Sequence, residues 1–230
     1  MTAKRLILIR HGQTFANVRM ALDTRLPGAP LTDAGVVQSR RLAKSLHLVL
    51  PEDTGCITTS LALRAMQTGA ATVGSLHKIS GSGTRLQHIE GLHEVQAGDL
   101  EGRNDFDAHR LFFEVFHQWM LGNLDVGRPG GDTAETFLNR YLPAVAEVID
   151  SPRDTEIIIT HGAAMRLATS HLTGLGGEFM ANNPLANTQR IELEFAGDET
   201  QPVLASGQWA LTRWGDLSGE PLQQERQRWE

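Results

Sequence analysis

The sequence predicts an α/β fold built on parallel strands, and three features carry that expectation. Residues 6–9 form a short, continuously apolar run, as a strand buried on both faces requires. Residues 157–160 repeat the design as Ile-Ile-Ile-Thr, and each run leads into a His-Gly pair, His11-Gly12 and His161-Gly162. Between them, strand-like and helix-like segments alternate, the pattern of parallel strands joined by crossover helices. If the two strands are parallel and close, both imidazoles emerge at one edge of the sheet. That edge, outside the carboxyl ends of the strands, is where open α/β sheets bind ligands. Arg10 adds a cation there, which is costly beside a buried strand unless something needs it.

The elements follow in order. The polar stretch after Gly12 can open a helix, and Pro27-Gly28-Ala29-Pro30 is a loop. Thr32 can cap a helix whose Val36, Ala43, Leu46 and Leu50 share a face, and residues 51–55 make a turn. Residues 56–59 read as a second strand, with Cys56 as a small core residue at its start. Ser60 is placed to cap a helix over about 61–73 with Arg64 in its first turn. A cation at the positive end of a helix dipole argues for an anion beside it. Residues 85–89 read as a short edge strand leading into a glycine-punctuated acidic loop, 91–102.

Leu111, Phe112, Val115, Phe116 and Trp119 recur at helical spacing, as a core face or part of a pocket wall. Asp132 with Glu135 resembles a capping box for a helix carrying Leu138, Leu142, Val145 and Ile149, where Pro143 predicts a kink or a late start. A helix over about 163–172 follows the second His-Gly. Residues 188–195 alternate, with Ile191, Leu193 and Phe195 inward and Glu192 and Glu194 outward, as in a half-exposed antiparallel strand. Gly197-Asp198 turns into a last strand near 203–205, and the polar tail from 217 is expected to fray.

Composition bounds the function. At 230 residues, with 40% hydrophobic and 21% charged residues, the chain suits one α/β domain over residues 1–230. A net charge of −6 provides no general footprint for nucleic acid, so an anion site must be a local cationic cluster. A single cysteine excludes internal disulfides and most cysteine-based metal sites. No His-x-His, His-Glu-x-x-His or Asp-rich cluster marks a metal centre, and no cofactor is expected. The N-terminal apolar run is too short for a secretory leader and nothing approaches a membrane span, so a cytoplasmic location is expected. The alternating strand near Ile191 offers an edge that could pair across a homodimer.

Five motifs in order resemble the histidine phosphatase superfamily, the group that contains the cofactor-dependent phosphoglycerate mutases. They are Arg10-His11-Gly12-Gln13-Thr14 with Asn17, Leu31-Thr32-Asp33-Ala34-Gly35 with Gln38, Ser60-Leu61-Ala62-Leu63-Arg64-Ala65-Met66-Gln67-Thr68, Leu92-His93-Glu94 with Gly98 and Glu101-Gly102, and Thr160-His161-Gly162. The resemblance implies a three-layer α/β/α sandwich around a mostly parallel sheet with one antiparallel strand. It also implies that His11 attacks phosphorus and becomes a phosphohistidine that water opens. Arg10, Arg64 and His161 would hold the phosphoryl oxygens, with Gln13, Asn17 and backbone amides such as that of Gly162 as further donors. Glu94 would protonate the leaving alkoxide and then take a proton from water. Glu101 is favoured as structural, as are His88, His93, His109 and His117.

The expected activity is therefore metal-independent hydrolysis of a small phosphorylated metabolite. The alternative is a phosphoglycerate mutase. Residues 103–130 contain only Arg103, Arg110 and Arg128 as cations, too few for a lid that holds a bisphosphate. A third reading, a regulator that binds phospho-ligands without turnover, is opposed by the intact His11, Arg10, Arg64, Glu94 and His161 set.

Overall fold

The computed structural model describes residues 5–48, 55–81, 83–198 and 200–229. Strand β1 (Arg5–Arg10) pairs in parallel with β4 (Thr155–Thr160), so that Ile7 lies beside Ile157 and Arg10 beside Thr160. Both strands are central. The sheet runs β3-β2-β4-β1-β5-β6-β7, with β2 (Cys56–Thr59) and β3 (Arg85–His88) continuing the parallel half. As expected, the 85–88 strand is the edge. On the other side β5 (Arg190–Phe195), β6 (Trp209–Trp214) and β7 (Leu217–Ser218) pair antiparallel in succession, so the sheet is mixed but most of its strands point one way.

The apolar run of β1 is continuous because each face meets its own core. Ile7 and Ile9 join Ile157, Ile159 and the buried faces of α2 (Asp33–His47) and α3 (Leu63–Ser80). Leu6 and Leu8 join Ile158 and the buried faces of α4 (Phe106–Met120), α5 (Ala134–Ile149) and α6 (Gly162–Thr173). Helices thus cover both faces of the sheet, the sandwich that the sequence implied, and two short ones, α1 (Phe15–Val18) and α7 (Gly177–Asn182), follow β1 and α6.

Thr32 caps α2 as expected, accepting from the Gly35 amide, whereas Leu50 and most of the 51–55 turn lie outside the described residues. Ser60 does not cap α3. That helix starts at Leu63 after Ala62, and the Ser60 hydroxyl instead meets His161. The capping box of α5 is Thr133 with Thr136, because Asp132 is drawn to Arg140 at 3.0 Å. The helix runs through Pro143 without a late start. In α4, Phe112, Phe116 and Trp119 are buried, but Leu111 faces solvent.

The C-terminal third departs furthest from expectation. Residues 203–205 form a turn, and the Val203 carbonyl accepts from the Trp209 indole. The strand begins only at Trp209, whose large ring buries against the core, as does that of Trp214. The tail is folded as β7 and a helix, α8 (Gly219–Gln227), pinned by buried Leu222. Glu192 does not point outward to solvent. It is buried among Arg5, Arg190 and Arg213, which pay for its desolvation with ion pairs. Strand β5 lies between β1 and β6, so it has no free edge to pair across a dimer.

Helix α2 docks tightly on the turn that follows β1. A Cβ on Gly35 would stand 2.1 Å from the Gln13 carbonyl oxygen, and one on Gly12 would stand 2.7 Å from that of Gly35. Gly35→Ala should therefore destabilise the protein by about 1–3 kcal/mol, read as a lower urea midpoint at unchanged slope.

Candidate active site

Where β1 and β4 end, the chain turns out of the sheet at His11 and His161, and their ring centroids are 5.3 Å apart. The His11 Nδ1 lies 2.8 Å from its neighbour's carbonyl, that of Gly12. A carbonyl only accepts, so Nδ1 carries the proton and Nε2 keeps its lone pair. The turn is held from three sides. Thr68 of α3 accepts from the Gly12 amide, Gln38 of α2 from the Gln13 amide, and Asn187 donates to the His11 carbonyl.

His161 is fully buried, and both its nitrogens are engaged. Arg64 Nε donates to its Nδ1 at 3.2 Å, which leaves Nε2–H to donate to Ser60 Oγ at 2.8 Å. It therefore stands behind Arg64 and His11 and fixes the guanidinium in place. On its other side Arg64 meets Asp23 at 3.4 Å. The loop that carries Asp23 closes tightly there: a Cβ on Gly28, at φ +73°, would stand 2.2 Å from Arg64 Nη1.

A pocket of about 360 Å³ opens over these groups. Arg10, His11, Asn17, Arg64, Glu94 and Gly162 line it, so the structure brings together most of the expected site. Gln13 is turned away: its side-chain oxygen accepts from the Thr32 hydroxyl of the α2 cap. The Asn17 side-chain oxygen accepts from the Thr14 amide and from Asn187, which leaves its amide nitrogen to donate. The Glu94 carboxylate sits on the start of α6, accepting from the Ala163 amide at 3.1 Å and the Ala164 amide at 2.8 Å. Glu101 is structural, as expected. It accepts from the Thr24 and Arg25 amides and from the Thr24 hydroxyl, tying the 20s loop to the acidic loop.

Sequence reasoning missed two pocket residues, Asp23 and Arg166, and one that holds the His11 turn, Asn187. Asp23 had no motif to mark it, Asn187 lies in an irregular loop, and Arg166 looked like one more helix residue. Arg166 lines the pocket from α6, 4.2 Å over the Phe116 ring, and donates to the carbonyls of Gly162, Met180 and Ala181. Burial pushes its guanidinium down to about 10, still protonated at neutral pH. Among the described residues, no group of three or more His, Cys, Asp or Glu is arranged to hold a metal ion.

Residues 6–207 match the family model of the histidine phosphatase superfamily, branch 1. The chain belongs to that superfamily. It is 28% identical over 200 residues to a Hydrogenobacter thermophilus protein named "Putative phosphoserine phosphatase 2", covering 87% of this chain and 94% of the relative. It is 31% identical over 199 residues to a 2,3-bisphosphoglycerate-dependent phosphoglycerate mutase of Azorhizobium caulinodans, covering 85% of this chain and 94% of that one. The solved structure of YhfR from Bacillus stearothermophilus superposes with a TM-score of 0.70 at 25% identity, covering 94% of this chain and 98% of that one. A mycobacterial glucosyl-3-phosphoglycerate phosphatase, solved with VO3, has the same fold with a TM-score of 0.68 at 23% identity, covering 92% and 98%. Among the described residues, no helix is long and apolar enough to cross a membrane.

The electrostatics of the site favour neutral imidazoles. Burial, then the charges of Arg64 and Arg10, hold His11 well below the ordinary histidine range. Burial and Arg64 do the same to His161. His93, beside Arg140 on the acidic loop, is lowered to about 4, mainly by burial. Below about pH 6.5 the unfolded chain takes up protons that these three side chains refuse in the fold, so folding stability falls as pH is lowered. Urea unfolding should show lower stability at pH 5.5 than at pH 7, and His93→Gln should flatten the decline.

Proposed function

We propose that this protein is a phosphatase that hydrolyses phosphate monoesters through a phosphohistidine on His11. The observation that carries the reading is the tautomer of His11. Its Nδ1–H is committed to the Gly12 carbonyl, which leaves an unprotonated Nε2 among the pocket's arginines. An imidazole nucleophile must be neutral, and burial, with the neighbouring cations, keeps it so.

In the first step Nε2 forms a bond to phosphorus and the ester P–O bond breaks. Arg10 and Arg64 meet the charge on the phosphoryl oxygens, with the Asn17 amide as a neutral donor. A guanidinium about 4 Å from such an oxygen gains on the order of 4 kcal/mol at an effective dielectric of about 20, enough for charge stabilisation to dominate the rate. Glu94 gives its proton to the departing alkoxide. In the second step the Glu94 carboxylate takes a proton from water, the water oxygen bonds to phosphorus and the N–P bond breaks, which restores His11. His161 serves by holding Arg64, and Ser60 by holding His161.

The mutase reading is less well supported, because a second phosphate would need its own cations. Of the three in residues 103–130, Arg103 is bound to Asp105 and Arg110 to Glu114 at the surface. Arg128 is buried, stacked 4.3 Å from the Phe112 ring, and donates to the carbonyls of Gln96 and Phe112. None lines the pocket.

Rapid acid-free quenching during turnover, in the presence of EDTA, should trap one acid-labile phosphoryl group on His11. His11→Ala should lose both the adduct and measurable hydrolysis while keeping the fold. Absence of any adduct in the active enzyme would overturn the phosphohistidine route. Glu94→Gln should slow unactivated alkyl phosphates by about 10²–10⁴-fold and p-nitrophenyl phosphate far less, since nitrophenolate departs without a proton. Equal losses on both substrates would remove Glu94 from the role of acid.

A further inference from the structure

The pocket has two unlike ends. At its floor stand His11, Arg10, Arg64 and Glu94. Beyond them the lining includes Met20 and Leu22 from the 20s loop, Phe112 and Phe113 from α4, and Pro184 and Leu185 from the loop before β5, with Thr14, Asn17 and Thr24 as its neutral polar residues. The remaining charged lining residues are all engaged with protein. Asp23 is paired with Arg64 and accepts from the Ala29 amide, and Arg166 donates to three carbonyls while lying over Phe116. His109 also lines the wall, but its Nε2–H is spent on the Met20 carbonyl at 2.6 Å.

An ester bound with its phosphoryl group on the floor must therefore place its alcohol part against apolar side chains, two of them aromatic. We propose that the substrate is a phosphate monoester of an uncharged, apolar alcohol about the size of an aromatic ring, and that this wall excludes alcohols bearing a carboxylate or second phosphate. The inference rests on the phosphatase reading and adds to it the chemical class of the leaving group. Burying a ring here gains hydrophobic energy, whereas a carboxylate would be desolvated beside these side chains, with Arg166 already sharing its Nε and Nη1 among three carbonyls. It would also face Asp23 and Glu94. The volume of about 360 Å³ suits a phosphoryl group and one ring, and falls at the small end of ligand pockets.

The two aromatic residues differ in how they can be tested. Phe112 belongs to the core and supports Arg128, so its loss would disturb the fold. Phe113 is 49% exposed and Met20 is 66% exposed, so polar replacements there leave the core intact.

Benzyl phosphate, glycerol 3-phosphate and 3-phosphoglycerate separate the possibilities, because each releases an unactivated primary alcohol. We expect kcat/KM for benzyl phosphate to exceed that for glycerol 3-phosphate at least about tenfold, and that for 3-phosphoglycerate by on the order of a hundredfold. Phe113→Ser should reduce the benzyl-to-glycerol ratio severalfold through KM. Met20→Lys, which adds a cation to the wall, should raise kcat/KM for 3-phosphoglycerate relative to benzyl phosphate. Equal or faster turnover of 3-phosphoglycerate by the unmodified enzyme, with His11 phosphorylated, overturns the leaving-group assignment and leaves the catalytic reading standing. Failure of all three esters to phosphorylate His11 removes both.

Discussion

The parallel pairing of β1 with β4 is the constraint on which the rest depends. Six residues of each strand run in register, Arg5 beside Thr155 through Arg10 beside Thr160, so the two chains leave the sheet at the same level. The imidazoles at the next positions are consequently neighbours, although 150 residues of sequence separate them. A shift of one residue would turn the side chains of a strand to the opposite faces and split both cores. The hydrophobic demand of two separate cores therefore also sets the spacing of the two imidazoles.

Around that pair the protein spends buried polar contacts on keeping one cation in position. Arg64 is nearly inaccessible, at 2% exposure, and such a charge needs partners on several sides. It donates to His161 on one side and meets Asp23 on the other, while His161 leans on Ser60 at the end of β2. The chain Asp23–Arg64–His161–Ser60 joins the 20s loop, α3, β4 and the end of β2 through side chains alone. An arginine held so firmly can meet charge that develops on a phosphoryl group without first reorganising.

The pocket above this chain sorts its ligand by polarity. Arginines and apolar side chains both line it, and its acidic groups are already bonded to protein. Helix α4 supplies both aromatic rings, and Arg128 secures it by stacking on Phe112 and Trp119 and donating to the Phe112 carbonyl. Arg128, a buried cation, thus serves as internal bracing.

Local pattern was sufficient for much of this. The unbroken apolar runs of β1 and β4 announced strands covered on both faces, because only a strand between two cores can be apolar at every position. The repeated His-Gly endings marked the site, and Thr32 announced its helix, since capping involves only residues three apart. Other features were decided by tertiary structure. Ser60 looked like a helix cap until β4 brought His161 within reach, and Gln13 looked like a phosphate donor until α2 took its side chain. The strand expected near Val203 lies instead at Trp209, because burying two indole rings outweighs a three-residue apolar run. Glu192 alternated like a surface residue but was drawn inward by three arginines from three strands. In each case the deciding partner is distant in sequence or outside the local pattern, and local pattern does not say what a side chain on a turn or strand will meet until the fold brings that partner to it.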